Sequence, residues 1–107
     1  GKDIEYKINS TGQVSLIDNS RTYEENRVIN KKGNIETRQF KTIEEMYNLA
    51  DIKFLTDYSG CCDGDLYRIE IFYNDTSKVI YDYMNSSPMQ FIWANAKLIK
   101  TIEHELR

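Results

Sequence analysis

DLYRIEIFYNDTSKVIYDYMNSSPMQFIWANAKLIKTIEHEL, residues 65–106, is the one part of the chain where two periodicities follow each other with turn and cap signals in between. Across 66–73 the residues alternate: Tyr67, Ile69, Ile71 and Tyr73 point one way, Leu66, Arg68, Glu70 and Phe72 the other, as in a half-buried strand. Asn74-Asp75-Thr76-Ser77 is turn chemistry. Residues 78–84 alternate again, with Val79, Tyr81 and Tyr83 on one face, so the two runs predict an antiparallel hairpin. The period then lengthens. Ser87 supplies an N-cap hydroxyl, Pro88 a residue suited to the first helical position and Gln90 a side chain that reaches back to the cap amide, which predicts a helix to about Leu106.

Upstream, Thr42-Ile43-Glu44-Glu45 reads as a second capping box, and Ile43, Met46, Tyr47, Ala50 and Phe54 fall on one helical stripe. That predicts a helix of about three turns ending near residues 51–54. Residues 3–9 set Ile4, Tyr6 and Ile8 against polar neighbours and stop at Ser10-Thr11-Gly12; residues 13–18 return, with Val14 and Leu16 inward. Residues 19–25 are polar and unpatterned, a surface excursion. Residues 27–29 and 35–40 flank Asn30-Lys31-Lys32-Gly33-Asn34 and predict a further hairpin with that pentapeptide at its tip. The expected architecture is α+β: an antiparallel sheet of four to six strands with two helices packed on one face, in the order ββ(ββ)αββα.

A chain of 107 residues and 12.6 kDa is expected to form a single domain, burying about two thirds of its unfolded surface on folding. Hydrophobic residues at 40% with only one proline exclude a disordered or collagenous chain. No apolar run approaches the roughly 20 residues that cross a bilayer, so no membrane span is expected. Acids and bases are interleaved around a net charge of −3, leaving no basic stripe to neutralise a row of phosphates; this argues against nucleic acid as a partner. The sequence opens on Gly1, as after trimming or removal of a signal, and the expected compartment is the cytoplasm or, after such removal, outside it.

No residue pattern points to catalysis, a metal or a cofactor. Adjacent Cys61 and Cys62 can close only a strained ring with each other, and zinc needs about four ligands where the chain has one histidine, His104; free thiols at the edge of a core are expected. Asp57, Asp63 and Asp65 flank a glycine-bearing loop and could converge on a small ligand or cation, but their spacing fits no EF-hand and solvated loop acids are the plainer reading. His104 sits where a cation suits the end of a helix. On the last helix, Phe91, Ile92, Asn95, Leu98, Ile99, Ile102 and Leu106 share one face and Trp93 lands opposite with Lys97 and Lys100. Trp93 with Met89 then forms a partner surface, or Trp93 lies over the helix start or a neighbouring loop. Asn95, inside the apolar face, is expected to bond a buried backbone group.

From Gly64-Asp65-Leu66-Tyr67-Arg68-Ile69-Glu70-Ile71-Phe72-Tyr73, through Val79-Ile80 to Pro88, the chain resembles emfourin, the protein inhibitor of thermolysin-type metallopeptidases. Thr11-Gly12-Gln13-Val14 is similar to the family's glycine turn with one of its two glycines replaced, and the link from this turn to the first helix is longer, residues 19–35 being the excess. The resemblance implies a non-catalytic domain that needs no cofactor and occludes a peptidase cleft through its loops. It makes Thr11, Gly12, Gln13 and Val14 the leading contact turn, with Asp63 and Asp65 approaching the metal-bearing cleft electrostatically. The alternative is an immunity-type or cell-envelope interaction module that uses the tyrosine-rich sheet face or Trp93.

Overall fold

The computed structural model describes residues 4–19, 29–58, 66–73, 76–83 and 87–107; at 66, 67, 72, 73, 76 and 83 the description is of backbone alone. The chain runs β1 (Ile4–Ile8), β2 (Gln13–Asp18), β3 (Ile29–Asn34), α1 (Thr37–Leu49), a 3-10 turn (Ile52–Phe54), β4 (Leu66–Tyr73), β5 (Thr76–Tyr83) and α2 (Met89–Leu106). It is an α+β fold with two helices and antiparallel sheets. Among the described residues the strands form two sheets, β1-β2-β3 and β4-β5, where one sheet was expected.

Sheet 1 begins as its alternation dictates, with Ile4, Tyr6 and Ile8 turned toward the core and Val14 and Leu16 buried from β2. β3 departs from expectation. The pentapeptide 30–34, expected as a turn, is strand, paired along β2 from Asp18↔Ile29 to Gln13↔Asn34. The bracketed second hairpin is therefore a single strand, joined to β2 by residues outside the described set. β3 stays polar because it is an edge strand, exposed along most of its length, and its lysines suit such an edge. Of the other expected arm, 35–40, Ile35 and Glu36 lead into α1 and residues 37–40 are its first turn. Glu36, not Thr42, is the N-cap, and its amide donates to Gln39 Oε1 at 2.9 Å in a capping box. Thr42 sits a turn inside, its hydroxyl donating to Arg38 O at 3.0 Å. The segment's alternation is equally a helical spacing, since Phe40, Ile43 and Tyr47 reach one core at i, i+3 and i+7.

α1 ends at Leu49, and Asp51 turns the chain in the left-handed region, φ 51°. That turn throws Phe54 outward, 71% exposed with Lys53 Nζ 5.1 Å from its ring centre, and turns Leu55 into the core instead. Phe54 thus leaves the stripe expected of it. Lys78 of β5 closes the turn by donating to Ile52 O at 3.0 Å and Lys53 O at 3.1 Å.

Sheet 2 is the expected hairpin, its connection at 74–75 outside the described residues. Its register pairs Ile69 with Ile80 and Ile71 with Lys78. Ile80 and Asp82 therefore share the inner face with Ile69 and Ile71, whereas Val79 and Tyr81, which the sequence groups with Tyr67, Ile69 and Ile71 whether that set or its opposite faces the helices, join Arg68 and Glu70 on the other face. Strand β5 begins at Thr76, inside the expected turn, and a strand's faces exchange with any odd shift of register.

α2 begins one residue later than expected, with Pro88 as N-cap and Met89 first in the helix. The Ser87 hydroxyl is directed elsewhere, donating to the buried Asp82 carboxyl group, which would otherwise lose a partner inside the core. The face of α2 that goes deepest carries Phe91, Ala94, Thr101 and Ile102, rotated slightly from the expected stripe, with Ile92 and Ile99 half-buried at its margin.

Two cores result. Val14, Leu16, Ile35, Ile43 and Ile102 pack beneath sheet 1; Ala50, Leu55, Ile80 and Phe91 pack beneath sheet 2. Each fully buried Leu, Ile or Phe stabilises by roughly 1.5–3 kcal/mol. Tyr47 touches both cores, meets the Phe91 ring edge-on at 6.0 Å, and donates its hydroxyl to Asn95 Oδ1 at 2.6 Å. Asn95 thus bonds a side chain where a backbone group was expected. At the far end of α2, Tyr6 donates to Glu103, and Arg107 bridges Glu103 (2.7 Å) and Asp18 (2.8 Å), clamping the helix end onto β1 and β2.

Burial pushes the Tyr47 phenol above its ordinary value; burial and then the Glu103 carboxylate do the same for Tyr6. Each folded phenol keeps its proton after the unfolded chain has lost it. Their contribution is complete below about pH 10 and is lost as the pH climbs further. Thermal melts should show stability falling above about pH 10, with a shallower fall in Tyr47→Phe and in Tyr6→Phe; slopes equal to the unsubstituted chain's would contradict this.

A second expectation concerns two glycines. A Cβ on Gly12, whose φ is +85°, would lie 2.7 Å from the Ile35 carbonyl oxygen, backbone that cannot swing aside. A Cβ on Gly33 would meet only the mobile tip of Leu106, at the same distance. Urea unfolding should therefore show Gly12→Ala losing about 1–3 kcal/mol and Gly33→Ala less than about 1 kcal/mol.

Candidate interaction site

The connection between β1 and β2 is built around Asn9. Its backbone amide donates to Gln13 O at 3.1 Å, and its carbonyl accepts the Gly12 amide at 3.0 Å. Its side-chain Oδ1 accepts three hydrogen bonds: from the Thr11 amide (3.0 Å), the Thr11 hydroxyl (2.6 Å) and the Gln13 amide (3.1 Å). Its Nδ2 donates to Gln13 Oε1 at 2.9 Å. An asparagine side chain that gathers the amides ahead of it replaces the backbone partner a tight turn lacks. Gly12 completes the loop in the left-handed region and accepts the Ile35 amide at 2.8 Å, which fastens the turn to the start of α1.

Of the four turn residues singled out by sequence, Thr11 and Gln13 are exposed. Gly12 and Val14 are buried, Val14 to 3% in the first core, so these two hold the turn and the other two, with Ser10, present it. Sequence reasoning passed over Asn9 as the last residue of a strand. The signal was available: an Asn two and four residues ahead of donors, followed by a glycine, is an Asx turn.

Met89 and Trp93 stand one helical turn apart on the outer side of α2, 54% and 56% exposed. Trp93 is thus more than half exposed and belongs to neither buried core. Asp63, Asp65, Cys61 and Cys62 lie outside the described residues. Asp57, the third member of the acidic loop, has its Oδ1 accepting the Tyr81 amide at 2.9 Å, while the Tyr58 amide donates to Tyr81 O at 2.8 Å. Its carboxylate aligns residues 57–58 beside β5 in a single parallel bridge, Tyr58↔Asp82. Among the described residues no three His, Cys, Asp or Glu side chains come together as a metal site, and no helix is long and apolar enough to cross a membrane. No family model, curated protein or solved structure matches the chain.

Replacing Asn9 by alanine removes the acceptor for three donors at a solvent-exposed site, where water takes up part of the deficit. The expected cost is about 1–2 kcal/mol. ¹⁵N relaxation should show residues 10–13 gaining motion while the strands on either side keep theirs; an equally rigid turn in Asn9→Ala would mean that the asparagine does not organise it.

Proposed function

We propose that this chain is a non-catalytic protein-binding domain that acts as a peptidase inhibitor in the manner of the emfourins, presenting the β1–β2 turn to the cleft of a thermolysin-type metallopeptidase. The observation that carries this reading is the hydrogen-bond network that holds the turn. Thr11 and Gln13 are held by Asn9 and by the Gly12 to Ile35 bond before any partner arrives, so docking orders few additional groups. An inhibitor needs such a turn, because a loop that must be immobilised on binding loses affinity and, once flexible, fits a peptidase cleft as substrate. The likeness over residues 64–102 supplies the enzyme class, and Asp63 and Asp65 are its proposed acidic approach to the metal.

A second reading, an immunity-type or cell-envelope interaction module, is favoured by the exposure of Met89 and Trp93, residue types enriched where partner surfaces meet.

The test is hydrolysis of a peptide substrate by a thermolysin-type peptidase with the whole chain in excess. Inhibition is expected, weakened about tenfold or more by Thr11→Asp or Gln13→Ala and unaffected by Trp93→Ala. Full peptidase activity at excess protein removes the inhibitor reading for that enzyme class. Inhibition sensitive to Trp93 but indifferent to the turn transfers the contact to the helix.

A further inference from the structure

Away from the turn, the outer face of the helix layer carries a distinct charge pattern. α1 and α2 run antiparallel: Tyr47, late in α1, meets Phe91 and Asn95, early in α2, while Arg38, Gln39 and Thr42 from the start of α1 line a cleft with Lys97 and Thr101. The cleft holds about 130 Å³, and its lining has two cations and no carboxylate. The Thr42 hydroxyl donates to Arg38 O and the Thr101 hydroxyl to Lys97 O at 2.8 Å, so neither offers its proton to a ligand. Gln39 accepts the Glu36 amide through Oε1, which leaves its NH2 group as donor. Arg38, Lys97 and Gln39 thus bring to the lining three side chains able to donate to a carboxylate. Among the described residues neither Arg38 nor Lys97 forms an ion pair.

The acids of α2 lie elsewhere. Glu103 is held by Tyr6 and Arg107, and Glu105 lies beside Gly33 of β3. Met89, Trp93, Lys97, Lys100 and His104 share one exposed side of α2, with Ala96 among them and the exposed Glu105 on a different side. On α1, Arg38 and Lys41 are followed a turn later by Glu44 and Glu45, which limits the cationic zone to the cleft end. At the other end of the layer Leu49 is 75% exposed on the stripe of Arg38 and Thr42, toward the part of α2 that carries Trp93. The face thus carries cations at the cleft end, the exposed Glu45 between, and exposed Leu49 and Trp93 toward the other end.

We propose that the outer face of the α1–α2 layer binds an acidic amphipathic segment of a partner protein, with a carboxylate seated between Arg38 and Lys97 and an apolar side chain against Trp93. Charge complementarity selects this occupant: a chain of net charge −3 repels a polyanion as a whole, yet offers one carboxylate a local pair of cations. The exposed Trp and Leu ask for apolar side chains, which a peptide has and a phosphate backbone lacks. The surface is separate from the β1–β2 turn, so it stands or falls independently of peptidase inhibition.

The experiment is panning of a random peptide library against the whole chain, in parallel with the double variant Arg38→Glu with Lys97→Glu and with Trp93→Ala. Peptides pairing Asp or Glu with Leu, Phe or Trp should be enriched on the unsubstituted chain. A synthetic copy of the most enriched one should bind about tenfold or more weakly to either variant, and more weakly as salt rises. Its addition should shift the amide resonances of Arg38 and Lys97 and the indole of Trp93, a readout that needs no variant. No enrichment, enrichment of basic peptides, shifts confined to other surfaces, or equally tight binding of single-stranded DNA would each overturn the proposal.

Discussion

The Ile35 amide donates to the Gly12 carbonyl at 2.8 Å, and the arrangement of the N-terminal half follows from that bond. It fastens the first turn of the chain to the residue where β3 has ended and α1 has not begun. Ile35 is thereby carried into the core between Val14 and Ile43, and Glu36 is left in the extended conformation an N-cap requires. Only glycine fits at position 12: its φ is positive, and the oxygen of Ile35 occupies the space a side chain would need. Close approach of two backbones, more than any side-chain pairing, makes the turn stiff and sets the direction in which α1 leaves.

The helices then join what the strands leave apart. Sheet 1 and sheet 2 each cover their own core, and α1 and α2 span both, with Tyr47 bonded across to Asn95 at the crossing. Because a buried phenol without a partner is costly, this bond ties helix register to core packing. The Tyr6, Glu103, Arg107 and Asp18 cluster does the same at the surface, where charges screened by water contribute less but still position the end of α2 on β1 and β2. The turn, the two cores and the outer helix face are thus mechanically joined through a few polar contacts.

Where the sequence carries a clean period, it foretells the element. The alternation of Ile4, Tyr6 and Ile8, of Ile69 and Ile71, and the long apolar stripe of α2 each appear where expected, because local pattern and tertiary burial agree there. Where two readings share one string, tertiary contact decides. Residues 35–40 alternate like a strand and space like a helix, and the Gly12 lock on Ile35 with the Glu36 and Gln39 caps starts the helix at Thr37. Asn30-Lys31-Lys32-Gly33-Asn34 has turn composition and is strand because β2 has an open edge to fill. The Val79 and Tyr81 face was misread by one residue, since the start of β5 within the turn sets register. Asn9 escaped a search for reactive groups because its role is hydrogen bonding within the turn; the Asn placed ahead of Thr11, Gly12 and Gln13 was the signal that marks it. The Arg38 and Lys97 cleft depends on helix packing that no linear spacing displays.

Among the described residues no three His, Cys, Asp or Glu side chains come together as a metal site, and the features that stand out are a hydrogen-bonded turn and an exposed helix face. The β1–β2 turn stands out because its exposed Thr11 and Gln13 are hydrogen-bonded to Asn9 while Gly12 is bonded to Ile35. The most direct measurement of the turn's proposed role is hydrogen-exchange protection of the whole chain in the presence of a thermolysin-type peptidase. The account predicts new protection at residues 10–13 with the rest of sheet 1 unchanged. Protection confined to α2 or sheet 2, with residues 10–13 exchanging as in the free chain, would contradict it.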